Sequence, residues 1–147
     1  MTFLSSVMIE ELIVTLHTQN CSCVIANRGE VRCFRERGIK DLYQLYISDK
    51  QFLSGAVLAD KVVGKAAAAL MIMGGVKQIY ADVISIAALN LLAKTNITVQ
   101  YAESAPYIIN RSKTDLCPME KATQHIDDLD EIFHEIDAFV SSLAAQG

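Results

Sequence analysis

Apolar and polar positions follow two rhythms along this chain, and the switches between them mark its elements. From Ser6 to Thr18 apolar residues recur at helical spacing, with Met8, Leu12 and Leu16 on one stripe, and Asn20 ends the segment. The stretch CSCVIANRGEVRCFRERG then alternates on both sides of Asn27-Arg28-Gly29, which predicts a β-hairpin. If Gly29 takes the left-handed position of a three-residue loop, Ala26 faces Glu30 and Cys23 faces Cys33. That register places Cys21, Cys23, Ile25, Val31 and Cys33 on one face, with Ser22, Glu30 and Arg32 on the other. A two-residue Arg28-Gly29 turn would move Cys33 to the opposite face and force arginine to positive φ, so the three-residue loop is preferred.

The helical period returns from Ile39 to Leu53, with Leu42, Leu45 and Tyr46 inward. GAVLAD reads as a short apolar strand, residues 62 to 73 as a helix stopped by Gly74-Gly75, and KQIYADVI as another strand. Ser85 can N-cap the helix IAALNLLAKT, Asn96 ends it, and ITVQYA is the next strand. Strand and helix alternate from residue 55 to 101, which implies parallel strands joined by crossover helices. The hairpin supplies an antiparallel edge to the same sheet. After Pro106, YIINRSKTDLCPMEKATQHI reads as a strand-like piece, a polar loop and a short helix, and DDLDEIFHEIDAFVSSLAAQ as an amphipathic helix.

Composition narrows the setting. At 147 residues and 52% hydrophobic, the chain is expected to form one domain, residues 1–147, with a substantial core. Its longest strongly apolar run, Ala66 to Gly75, is well short of the roughly 18 residues of a membrane span. No lysine or arginine precedes the apolar part of MTFLSSVMIEELIV, and Glu10 and Glu11 lie inside it, which argues against a secretory signal and for a cytoplasmic protein. A net charge of −4 leaves no basic footprint for nucleic acid. The four cysteines, Cys21, Cys23, Cys33 and Cys117, follow no C-x-x-C spacing and are expected to be free thiols.

Candidate chemistry gathers first in ADKVVGK. With the helix beginning at residue 62, Lys61 and Lys65 stand at its N-terminal end, where the dipole disfavours cations, and Gly64 costs about 1 kcal/mol relative to alanine. Either an anionic ligand is held there by backbone N–H groups and lysine charge, or the lysines share a solvated face and Gly64 permits close packing. A second candidate is CPMEK: Pro118 suits the first helical position, so Cys117 would be the N-cap and Glu120 the third residue of a capping box. A thiol so placed can become a nucleophile, with Arg111 as a nearby positive charge and Glu120 as acid or base.

The hairpin followed by alternating helices and strands resembles the core of the cytidine deaminase-like fold over residues 21 to 101. DKVVGKAAA, PYIINR and CPMEK are similar to motifs of an uncharacterised bacterial and archaeal family, a domain of unknown function assigned to that fold. The resemblance implies a three-layer α/β/α architecture around a mixed sheet. Zinc deaminases carry H-A-E or C-A-E at the second core helix and P-C-x-x-C at the third, and the matching places here read ADKVVGK and DVISIAAL. Neither contains histidine, cysteine or glutamate, so no metal site, no cofactor and no zinc-dependent deamination are expected.

The resemblance does place Asp60, Lys61, Gly64 and Lys65 where related enzymes hold metal and substrate. Asp82 and Ser85 fall at the parallel position after the next strand. This set suits a small anionic ligand such as a nucleotide, and Tyr107, Asn110 and Arg111 of YIINR would complete it by stacking on a base and forking onto phosphate. Two rival readings are an enzyme using Cys117 and Glu120, and a protein-interaction or homo-oligomerisation domain drawing on the high apolar content.

Overall fold

The computed structural model describes residues 2–35, 39–106 and 118–146. Helix α1 (Thr2–Thr18) leads into the hairpin of β1 (Cys23–Asn27) and β2 (Glu30–Phe34). Helices α2 (Lys40–Ser48) and α3 (Lys50–Leu53) follow, then β3 (Val57–Val63), α4 (Lys65–Gly74), β4 (Gln78–Ser85), α5 (Ile86–Leu92) and β5 (Thr98–Ala105). Helices α6 (Pro118–Thr123) and α7 (Leu129–Gln146) close the chain. The sheet is open and mixed, in the order β2-β1-β3-β4-β5, with β1 antiparallel to both its neighbours and β3, β4 and β5 parallel.

Alternation along the strands divides the apolar residues between two faces. Val24, Ala26, Val57, Ala59 and Tyr80 meet Ile9, Leu12 and Leu16 of α1 in one cluster. Cys23, Ile25, Leu58, Ile79 and Ala81 face the larger cluster, built with α2, α4, α5 and α7. Helices thus cover both faces of the sheet.

The hairpin register differs from the expected one. Asn27 pairs with Glu30 and Val24 with Cys33, so the turn has two residues, Arg28 at φ 52° and Gly29 at φ 78°. Asn27 is held in the strand by its side-chain amide, which donates to the carbonyls of Phe52 and Ser54, each at 2.8 Å. The register also turns Arg32 inward, where its guanidinium lies 3.8 Å from the Phe52 ring centre and pairs with Glu30 and Asp49. These contacts offset an arginine at positive φ. Val31 and Cys33 are consequently exposed, and Cys33 does not join Cys23 and Ile25 in the core.

Three further boundaries move. The helix read as continuous from Ile39 to Leu53 breaks at Asp49, whose backbone leaves the helical region (φ −150°, ψ 54°). Helix α5 ends at Leu92, earlier than expected. Strand β3 runs on through Asp60 and Lys61 to Val63, so α4 starts at Lys65, with Gly64 as its N-cap. Lys61 is a strand residue and takes no part in a helix N-terminus.

That extension carries a paired slip in alternation. Leu58 and Val63 of β3 both enter the larger cluster, as do Ala81 and Ile84 of β4, although odd spacings should separate them. Val62 and Val83, paired across the two strands, absorb the change of phase. Below the slip, Lys61 and Asp82 point with α1. Above it, Val63 and Ile84 lead into α4 and α5.

Candidate functional site

The carboxyl ends of β3 and β4 open beside the start of α4, and the predicted residues there divide between the two faces of the sheet. Gly64 is extended (φ −97°, ψ −179°) and has no side chain with which to cap α4. The missing acceptor comes from α6: the backbone N–H of Lys65 donates to a Glu120 carboxylate oxygen at 3.1 Å. A carboxylate at this end also suits the helix dipole. Lys65 is only 4% exposed, and its Nζ donates to Asp127 at 2.8 Å. That bond holds the Asp127 carboxyl below its ordinary range. The cation at an unfavourable helix end is therefore balanced by two carboxylates of the same chain.

Asp60 lies on the same side of the sheet. It pairs across the sheet with Cys23 and accepts the Val62 N–H at 3.2 Å. The residue keeps some exposed surface, yet its carboxyl is deep enough that burial pushes it from 3.8 up to about 7. Hydrogen bonds from Val62 and from the Cys23 thiol resist the rise. Cys23 is itself driven well above its ordinary value, first by burial and then by the Asp60 charge, so it is a core thiol and no nucleophile at neutral pH. Ser85 is fully buried and accepts the Ala88 N–H at 3.1 Å, the N-cap expected from the sequence.

Lys61 and Asp82 face α1 instead. Lys61 Nζ donates to Asn20 at 2.7 Å, and its backbone N–H donates to the Ser22 carbonyl. Asp82 receives the Tyr80 hydroxyl at 2.7 Å and lies 2.8 and 3.0 Å from His17 Nε2. Burial, with the neighbouring Asp82, pushes the Tyr80 phenol up to about 12. The structure thus brings Asp60, Gly64, Lys65 and Glu120 to one side of the β3 edge and Lys61 and Asp82 to the other. Tyr107, Asn110, Arg111 and Cys117 lie outside the described residues.

Asp127 and His17 are the partners that sequence reasoning missed. They lie 62 and 65 residues from Lys65 and Asp82, and no local spacing signals either bond. Among the described residues no three His, Cys, Asp or Glu side chains converge in a way that could hold a metal ion, and no helix is long and apolar enough to cross a membrane. Surface pockets include one of about 360 Å³ lined by Ile126 and residues of α7, and one of about 410 Å³ at the hairpin turn.

A family model described as TM1506, domain of unknown function (DUF1893), matches residues 11–140. The chain belongs to the DUF1893 family. A crystal structure of a DUF1893 family protein (TM1506) from Thermotoga maritima, at 2.70 Å resolution, is similar to it. The two share 25% sequence identity over 88% of each chain, with a TM-score of 0.81. No curated protein matches the chain. DUF1893 is a domain of unknown function.

Proposed function

We propose that this DUF1893 chain is a cytoplasmic, non-zinc, deaminase-like domain that binds a small anionic ligand, such as a nucleotide or other phosphate compound. The binding place is the start of α4, at the carboxyl end of β3. The deaminase-like reading is supported by the element order: a hairpin on the antiparallel side of the sheet, then helix and strand in alternation through three parallel strands. Open α/β sheets bind ligands outside the carboxyl ends of such strands. The cytoplasmic reading is supported by the free thiols of Cys21, Cys23 and Cys33.

The observation that carries the ligand reading is the pair of carboxylates on Lys65. Glu120 takes its backbone N–H and Asp127 its ammonium, so the chain holds its own anions where a ligand's charge would sit. A phosphate would bind by replacing Glu120 at the α4 N-terminus, with the buried lysine charge compensating it. Lys61, turned toward Asn20, contributes only long-range charge.

The test is equilibrium binding of nucleoside monophosphates and sugar phosphates, read by native mass spectrometry and thermal shift on the full chain. Glu120→Gln is expected to bind tighter than the parent, because an amide competes less well than a carboxylate for the Lys65 N–H, and Lys65→Met is expected to lose binding. If no phosphate compound binds either the parent or Glu120→Gln, the proposal fails.

A further inference from the structure

The pocket of about 410 Å³ lies at the opposite edge of the sheet, where β3 and β4 begin and the hairpin turns. Its volume falls within the range of small-molecule sites, about 300–1,000 Å³. Met8, Ala26, Val31 and Val57 give it apolar walls, and Arg28 and Lys77 are also among its lining residues. Met8 and Val31 are 41% and 55% exposed, so its outer walls are bare hydrocarbon.

Charge gives the pocket a sign. Among the described residues, neither Arg28 nor Lys77 has a carboxylate partner. The acid that lines the same pocket, Glu30, is turned away and paired with Arg32 at 2.6 Å. Asn27 is likewise spent on the carbonyls of Phe52 and Ser54. Two cations with no carboxylate partner among the described residues, beside apolar walls and on a chain of net charge −4, make a local site for negative charge joined to hydrocarbon.

The turn adds an independent observation. Arg28 occupies the first central position of a two-residue turn at φ 52°, where asparagine or glycine sits with less strain. Folding alone would favour either of those. The anchored side chain of Asn27 explains why the turn has two residues, and nothing in the hairpin's packing asks for a guanidinium at position 28.

We propose that the pocket between the hairpin turn, Met8 of α1 and Lys77 binds a small amphipathic carboxylate, with its hydrocarbon on Met8, Val31 and Val57 and its charge between Arg28 and Lys77. This site is separate from the one at Lys65.

Octanoate serves as the probe, titrated into the full chain by calorimetry, with amide chemical shifts locating it. Saturable binding is expected, with shifts at Val31 and Gly29. Arg28→Asn, which suits the turn, should weaken binding at least tenfold while melting at or above the parent temperature. Lys77→Gln should weaken binding in the same direction. Octylammonium should not bind. The proposal is overturned if octanoate fails to bind the parent, if it binds Arg28→Asn as well as the parent, or if octylammonium or inorganic phosphate binds there equally well.

Discussion

The backbone N–H of Lys65 donates to the Glu120 carboxylate at 3.1 Å, joining the first residue of α4 to α6 across 55 residues of chain. Because Gly64 cannot cap α4, this distant carboxylate does a cap's work. Glu120→Ala should therefore lower stability by about 1–2 kcal/mol, as loss of an N-cap does. Glu120→Gln, which keeps an acceptor oxygen, should lose less. Urea unfolding midpoints of the three proteins at a shared m-value check the ordering.

Gly74 ends α4 against Leu53. A Cβ built on it would lie 2.8 Å from Leu53 Cδ1 and 2.9 Å from Leu53 Cβ, and Leu53 is fully buried with no room to retreat. Alanine gains about 1 kcal/mol over glycine in a helix, but overpacking of this kind costs about 1–3 kcal/mol. Gly74→Ala is expected to be destabilised on balance, and an unchanged or raised denaturation midpoint would contradict the packing seen here.

Asp60 gives stability a pH dependence of unusual sign. Its folded value, raised by burial to about 7 from 3.8, means that the native state holds a proton that the unfolded chain has released. The contribution is fully present below the unfolded value and disappears as pH rises through the folded one. Between about pH 4 and 7 Asp60 therefore lowers stability with rising pH, by up to a few kcal/mol in all. Asp60→Asn should remove this component, so the difference between parent and variant unfolding free energies should widen steadily across the window. A difference that stays flat would place the carboxyl in a wetter setting.

Where bonding is local, the sequence was a sufficient guide. Ser85 caps α5 through an N–H three residues on, Gly75 ends α4 at φ 84°, and Pro118 opens α6, each a feature confined to one turn of chain. Lys61 was misplaced because the pair Asp60-Lys61 looks like the end of an apolar strand. The strand continues because β4 runs beside it and α1 offers Asn20 to the lysine. The hairpin register was misjudged for a similar reason. The strain at Arg28 is visible in the sequence, whereas the compensation from Phe52, Ser54 and Asp49 comes from residues 17 to 27 positions away. The sequence marked Lys65 and Glu120 as separate candidates but not their contact, and it did not mark Asp127, which reaches Lys65 from 62 residues downstream.

The two faces of the sheet are unequally guarded. Among the described residues, one is closed by several helices packed on one another and the other by α1, whose Ile9, Leu12 and Leu16 form its cover, with polar ties at His17 and at Asn20 just beyond the helix. Detaching α1 breaks only its own contacts with the sheet and not those of the larger cluster, so α1 is expected to open at a lower free energy than global unfolding. Amide protons on α1 should exchange through its own opening, while those of α4 wait for the whole molecule to unfold.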